Sequence, residues 1–351
     1  MSSELPTVRW GIVATGLISS WFVEDLVLDR PDAKAKHIVQ AIGSSSLAKG
    51  KAFAEKYLPG LEPTVYPSYE QVYNDASVDI VYIGTPHGFH KQNCLDAIRA
   101  GKHILCEKSF TLNAKEAREV FAAAKAKNVF VMEAMWLRFR PLTQFLHKLL
   151  YVDKVIGDVR RVFSDFGLDQ DIKSLGPESR LRNPALGAST LLDIGIYSLT
   201  WGLLTLDAET GPKAQTPKIV AVQSLDAGVD LASTVILLYP NGGQGILTSA
   251  TYAKTPEPFC RIEGSKGVIT VEGPAGSAPE FLIVEPRGGD AQKHDFRIPG
   301  RGFYYEADAA ALDVVAGRKE NDIMPWSETI RVLEIMDEVR RQGGVVYPQD
   351  N

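Results

Sequence analysis

Three side chains in this sequence have the types and spacing for proton transfer at a carbon–oxygen bond: Lys108, Asp193 and Tyr197. A tyrosine, with a pKa of ~10, is a poor base near neutrality, but a lysine ammonium within ~4–6 Å favours the phenolate. Asp193 and Tyr197 stand four residues apart, so on a helix they share a face, and Gly195 between them permits close approach from an adjoining surface. A carboxylate, a phenol and a nearby ammonium make a set for general acid–base work. Each also has a plainer reading. A polar pair at this spacing on a helix usually faces water, and most lysines are surface lysines.

A second group of residues has the pattern of a dinucleotide cradle. Gly11-Ile12-Val13-Ala14-Thr15-Gly16-Leu17-Ile18-Ser19 lies where a strand gives way to a helix, and small residues there let the backbone approach a pyrophosphate on the helix N-terminus. In the G-x-G-x-x-G frame the three positions read Ala14, Gly16 and Ser19, so only the central glycine is intact. After the second strand, Gly43-Ser44-Ser45-Ser46 offers hydroxyls with Lys49 just beyond, and no acidic residue stands ready for a ribose 2′-OH. That combination admits a 2′-phosphate and points to NADP rather than NAD, while also reading as an ordinary serine-capped helix start. Thr85-Pro86-His87 and Cys106-Glu107-Lys108-Ser109 follow two further strands at the carboxyl ends where open α/β sheets bind ligands, and His90 flanks the first of these turns.

These residues need elements to hold them. The first 135 residues alternate strand and helix. Strands are expected at Val8–Ala14, His37–Ile42, Val65–Tyr66, Asp79–Gly84, His103–Cys106 and Val129–Met132. Helices are expected at Leu17–Leu28, Leu47–Tyr57, Tyr69–Asn74, His90–Ala100 and Asn113–Lys127. That alternation implies βαβ units and a doubly wound parallel sheet. After Arg140-Pro141 and a helix at Leu142–Leu150 the pattern turns strand-rich. The runs are Asp158–Gly167, Pro217–Gln223, Ser233–Tyr239, Gly245–Tyr252, Phe259–Glu263 and Val268–Val271, a mostly antiparallel sheet with one helix, Thr190–Leu204, inserted early. Helices at Tyr304–Ala316 and Trp326–Gln342 close the chain. The expected domains are 1–140, an α/β Rossmann domain, and 141–351, an α+β domain for substrate and dimerisation whose last two helices can pack back on the first.

Composition agrees with a folded enzyme of this size. The 351 residues are 45% apolar and 23% charged, enough for two cored domains without staples. A net charge of −5 disfavours a nucleic-acid backbone or an anionic membrane as partner. Cys94, Cys106 and Cys260 are odd in number and far apart, which reads as reduced thiols in the cytosol rather than a disulfide framework or a zinc site. No secretory signal is visible, and no run approaches the ~18 apolar residues of a spanning helix. His103 and Cys106 lie on a strand whose alternate residues face opposite ways, so no metal is expected.

Together, the N-terminal turn, Thr85-Pro86-His87, AGKHILCEK at 100–108 and DIGIY at 193–197 resemble, in order and spacing, the Gfo/Idh/MocA oxidoreductase family, across nearly the whole chain. Glu133-Ala134-Met135-Trp136-Leu137-Arg138-Phe139 and a tyrosine at 197 resemble the branch containing dimeric dihydrodiol dehydrogenases and NADP-dependent D-xylose 1-dehydrogenases. The resemblance implies a Rossmann domain plus an open-faced sheet domain that forms homodimers. It implies a cofactor held by Ala14, Thr15, Gly16, Leu17, Ile18, Ser44, Ser45, Lys49, Thr85, Pro86, His87, His90, Glu107 and Lys108. Lys108 would be catalytic, Tyr197 would be the acid/base, and Asp193 would orient them or the substrate. Trp136, Arg138, Phe139 and Phe166 would line the substrate pocket with Asp193 and Tyr197, although core packing is the commoner fate of aromatics. The expected reaction is NADP-dependent oxidation of a sugar hydroxyl, D-xylose at C1 to the lactone; a trans-dihydrodiol is the runner-up substrate, and a non-catalytic NADP-sensing regulator the alternative class. Ser109 stands where the family has proline after Glu-Lys, and Ala188-Ser189 stand where it has small glycines.

Overall fold

Short runs of Val and Ile bounded by helices can bury both faces only in a parallel sheet covered on each side. A computed structural model describes residues 5–350 and divides them into two units. The first runs up to Thr111 and adds 115–136 and 299–329; the second holds 112–114, 137–298 and the chain from Ile330 onwards. The division is therefore not a single cut at residue 140, because the segment 299–329 belongs to the first unit.

In the first unit the elements are β1 (Thr7–Val13), α1 (Leu17–Leu26), β2 (Lys36–Gly43), α2 (Leu47–Tyr57), β3 (Thr64–Tyr66), α3 (Tyr69–Tyr73), β4 (Ile80–Ile83), α4 (His87–Arg99), β5 (His103–Glu107), α5 (Ala114–Lys127) and β6 (Val131–Ala134). The six strands pair in the order β3-β2-β1-β4-β5-β6, all parallel. This is the doubly wound Rossmann order, with its switch point between β1 and β4, so the turns after those two strands flank the crevice where ligands bind.

The second unit carries α6 (Pro141–His147), β7 (Val159–Gly167), α7 (Ile196–Leu206), β8 (Lys218–Asp226), β9 (Val229–Leu238), β10 (Gln244–Ala250), β11 (Cys260–Gly264), β12 (Gly267–Glu272), β13 (Phe281–Pro286) and β14 (Gln292–Asp295). Its strands form one sheet, β14-β13-β12-β11-β7-β10-β9-β8, antiparallel throughout except for the parallel pair β7/β10. One face is covered by α7. The alternation in β10 resolves cleanly: Leu247 and Ser249 are buried under α7, while Ile246, Thr248 and Ala250 lie on the half-exposed face. Val220, Val222, Ile236 and Leu238 extend that open face and are 39–65% exposed. Pro184–Leu206 has the length and apolarity to cross a membrane, contrary to the expectation that no run approaches this, but 89% of its window is buried as the helix beneath the sheet.

Helix α8 (Phe303–Val315) is keyed into the first unit by charge and by rings; α9 (Trp326–Gly343) follows it. The Asp25 carboxylate on α1 accepts backbone N–H bonds from Arg301, Gly302 and Phe303 at 2.6–3.0 Å, which satisfies the loose donors at the start of α8. Trp10 Nε1 donates to His37 Nδ1, which leaves Nε2 of a neutral ring to donate to Asp308 on α8 at 3.0 Å; Arg30 donates to the other Asp308 oxygen. Phe22 stacks on Tyr82 at 3.8 Å and meets Trp10 and Phe303 edge-on.

The same helix carries a buried acid. Glu306 is fully buried, and neither of its oxygens meets a hydrogen-bond donor among the described residues. Burial first, and then the neighbouring Glu107 and Glu133, hold its carboxyl well above the ordinary range, so it folds neutral. An unfolded glutamate ionises near ~4.3 while the folded one keeps its proton, so Glu306 lowers stability as pH rises from there towards its folded pKa. Glu306→Gln preserves shape and removes that penalty. Its Tm should match or exceed the native value at about pH 8 and gain less at about pH 5; a lower Tm at both, by calorimetry, would refute the neutral assignment.

Candidate active site

The cradle at the end of β1 is built from backbone. Ala14 takes a left-handed conformation, φ 76°, and its N–H donates to Gly43 O on β2. A left-handed alanine costs roughly 1–2 kcal/mol, the penalty for an alanine at the first glycine position of the frame. Gly16, at the second position, caps α1 without any side-chain hydrogen bond, and a Cβ built on it meets no atom within 4 Å. The helix N-terminus therefore points its uncompensated N–H groups into open space, flanked by half-exposed Thr15 and Ile18 and by Leu17, which is 63% exposed. Ser19, at the third position, packs where that glycine would permit helix–strand contact. The partner gives way instead: Gly84 at the end of β4 is so close that a Cβ on it would lie 2.4 Å from Ser19 Oγ.

At the end of β2, Ser44 is buried and its hydroxyl pairs with Thr15 Oγ1 at 3.0 Å, so it braces the turn. Ser45 and Lys49 are the exposed pair, with Nζ 3.5 Å from Ser45 Oγ. Ser46 caps α2 by accepting from Lys49 N. An uncapped helix start, a glycine whose Cβ would fill the cradle, and a hydroxyl–ammonium pair with no acid beside β2 fit a dinucleotide bearing a 2′-phosphate.

At the next two strand ends the side chains turn inward. Thr85, His87, Glu107 and Lys108 are each buried to 9% exposure or less, and Pro86 is half-buried. Lys108 is thus no surface lysine, which sets aside its plainer reading. Tyr82 donates to Glu107 Oε1 at 2.7 Å, and Ser109 follows Lys108 through a cis peptide bond. His90 was expected to touch cofactor, but its ring is completely buried and both nitrogens face backbone carbonyls, of Thr85 at 2.7 Å and Ser109 at 3.0 Å. It is a brace between turns. Trp136 in this unit is buried and stacks on Phe303 at 4.5 Å.

In the second unit Asp193 lies in a π-helical turn, Leu191–Gly195, that leads into α7 and Tyr197. Such wide turns recur at functional sites. Ser189 accepts from Leu192 N and caps it, so the departure at Ala188-Ser189 supplies a cap. Gly195 and Gly202 lie one face apart by seven residues, and Cβ atoms there would strike Ser249 and Leu247 of β10 at 2.8 and 2.7 Å. The glycines press the helix onto the sheet and fix where Tyr197 stands. Tyr197 is buried with its ring 5.7 Å from Phe166, while Arg138 and Phe139 are also buried. Leu168, Gln170, Ile172, Ser189, Thr190 and Asp193 line a small recess beside this turn.

Two contributors escaped the sequence reading. Arg180 Nη1 donates to Asp193 Oδ2 at 3.2 Å from a loop with no periodic signal to place it. Asp230 on β9 is completely buried and accepts from Leu191 N at 2.7 Å, capping the same turn; burial pushes its carboxyl up to about 6, against hydrogen bonds that pull it down.

An oxidoreductase family model with an NAD-binding Rossmann fold, GFO_IDH_MocA, matches residues 8–135, and the GFO/IDH/MocA C-terminal domain matches 147–270. The D-xylose 1-dehydrogenase (NADP(+)) of Hypocrea jecorina is 36% identical over 99% of this chain and 95% of its own. The chain belongs to the Gfo/Idh/MocA oxidoreductase family. Another relative in it is the trans-1,2-dihydrobenzene-1,2-diol dehydrogenase of Bos taurus, 34% identical over 98% of this chain and 99% of that one. Among solved structures, an aldose-aldose oxidoreductase from Caulobacter crescentus, complexed with glycerol, superposes with a TM-score of 0.81 at 24% identity over 96% of this chain and 98% of that one. A 3-ketoreductase from Actinomadura kijaniata, in complex with NADP and TDP-benzene, gives 0.79 at 22% identity, with the same coverage. These two share the fold.

The cradle can be tested without a substrate. Gly16→Ala adds a methyl that meets no protein atom, so Tm should stay within about 2 °C, while it occupies space the pyrophosphate needs. NADPH affinity, read by fluorescence titration, should fall about tenfold or more; an unchanged Kd would move the pyrophosphate elsewhere.

Proposed function

We propose that this oxidoreductase is an NADP-dependent dehydrogenase of sugar hydroxyls, with D-xylose oxidised at C1 to the lactone as the leading reaction. The observation that carries the reading is end-to-end similarity to a D-xylose 1-dehydrogenase, together with Lys108 and Tyr197 in the family's Glu-Lys and D-x-G-x-Y positions. A cyclic trans-dihydrodiol is the second reading, favoured by the similarly long match to dihydrodiol dehydrogenases.

In this reading the α1 N-terminus and the turn at Thr15–Gly16 hold the pyrophosphate, and Ser45 with Lys49 holds the 2′-phosphate. The bound nicotinamide supplies a hydride acceptor at C4. Tyr197 Oη takes the proton of the substrate hydroxyl, Lys108 provides the cation that makes the phenol acidic enough to do so, and Asp193, paired with Arg180, orients the hydroxyl. Retention of both Lys108 and Tyr197 argues against the sensing-regulator alternative, which needs neither. The open face of the second unit's sheet, with Val220, Val222, Ile236 and Leu238, is the surface we propose for a homodimer, because an apolar sheet face is covered in stable proteins. The three buried, unbridged cysteines suit a cytosolic location.

The test is a panel of aldoses and trans-dihydrodiols with NADP, watched by absorbance of the reduced cofactor. D-xylose should give the highest kcat/KM, and a diol preference would install the second reading. Tyr197→Phe should cut kcat by ~10²-fold or more with NADPH Kd within about twofold. Retention of more than about a tenth of kcat would remove the tyrosine from proton transfer. Light scattering should give twice the monomer mass; a monomer at micromolar concentration refutes the dimer.

A further inference from the structure

His90 stands on the first turns of α4 with no exposed atom to offer a ligand. Its Nε2 lies 2.7 Å from Thr85 O, in the turn after β4, and its Nδ1 lies 3.0 Å from Ser109 O, in the turn after β5 that carries Lys108. One helical turn further, Asn93 Nδ2 donates to Thr85 Oγ1 at 2.9 Å. His87 meets the His90 ring edge-on at 5.6 Å and keeps it from swinging towards the helix start. One imidazole thus spans two strand ends that the chain separates by 24 residues, and a packing residue would need neither nitrogen.

We propose that His90 is a positioning residue: its ring ties the Thr85 turn to the Lys108–Ser109 turn and so sets where the Lys108 ammonium stands. Both ties run to carbonyl oxygens, which only accept. A neutral ring has one N–H and donates to one of them; the cation donates to both. Burial, with a smaller push from the Lys108 charge, lowers the imidazole pKa against the pull of the carbonyls. In the neutral ring the two ties are therefore unequal, one of them a donated hydrogen bond and the other not, and each must be tested separately. The inference rests on the reading of Lys108 as a group of the proton-transfer step.

Two amide variants separate the ties. The amide nitrogen of glutamine reaches about as far as Nε2 and keeps the bond to Thr85 O, whereas that of asparagine reaches as far as Nδ1 and keeps the bond to Ser109 O. His90→Phe keeps a ring and keeps neither. His90→Phe should lower kcat about tenfold or more, the scale of loss when a reacting group is slightly misplaced, and His90→Gln or His90→Asn should restore most of it. Whichever amide restores turnover identifies the tie that matters. Tm and NADPH Kd are measured on all three beside the kinetics. If His90→Phe does not fold, the two amides carry the test, and a kcat difference of more than about threefold between them at equal Tm supports the clamp. Native kcat and NADPH Kd in all three variants, or losses in all three that track only the folded fraction, overturn it. If the native protein oxidises no sugar or diol in the panel, the substrate reading fails by itself. NADPH affinity then decides the clamp: unequal weakening by His90→Gln and His90→Asn supports it, and equal affinities overturn it.

Discussion

A parallel sheet leaves its ligand-binding end bare, and at the switch point of the first unit the turns after β1 and β4 part from adjacent strand ends. Everything at this end follows from how closely α1 can approach β4. Gly84 accepts Ser19 Oγ into the space its missing Cβ would fill, so α1 starts low on the sheet and its N-terminal N–H groups face the crevice. Ala14 bends the chain there at a conformational cost, and the Thr15–Ser44 hydroxyl pair braces the bend against β2. The positive end of the helix is left without a side-chain cap, the arrangement that suits an anion.

The same economy governs the second unit. Helix α7 approaches the sheet at two glycines, one of them in the widened turn that carries Asp193, and that turn is held from three sides by Ser189, Asp230 and Thr190. Thr190 Oγ1 donates to the backbone of Asp230, whose carboxylate in turn accepts from Leu191 N. A π-helical turn is a rare departure from the α-helix, and the buried Asp230 anchors it just before the candidate carboxylate, Asp193.

Much of this was legible beforehand. The alternation of apolar runs with amphipathic helices implies the doubly wound parallel sheet that is found, and α2 matches its expected limits because Ser46 and Pro59-Gly60 punctuate it. Elements whose signal is tertiary were missed. β14, Gln-Lys-His-Asp, is polar and exists only by pairing with β13, whose Phe281 and Ile283 alternate with Leu282 and Val284 so that both faces look apolar. The Gly84–Ser19 exchange is invisible because the two residues that trade size are far apart in the chain. Arg180 carries no local signature; the return of α8 to the first unit was expected, but the acids that hold it there, Asp25 and Asp308, read locally as ordinary helix and surface residues.

The candidate site residues stand out in the structure for a different reason: burial makes them costly where they stand. Lysine and glutamate are seldom fully buried, and Glu107, Lys108, Glu133 and Glu306 are all buried near the end of β5 and its neighbours, with Tyr82 donating to Glu107 and Phe110 N to Glu133. A core built for stability alone would replace such a group with leucines, since buried ionic sets seldom outperform well-packed apolar ones. A buried lysine is therefore kept at some cost to the fold, and Glu306 limits that cost by staying neutral rather than adding a further buried charge. Stability is thus given up at two turns of the first unit, at the left-handed Ala14 after β1 and at the buried Lys108 after β5, the strand ends where open α/β sheets bind ligands.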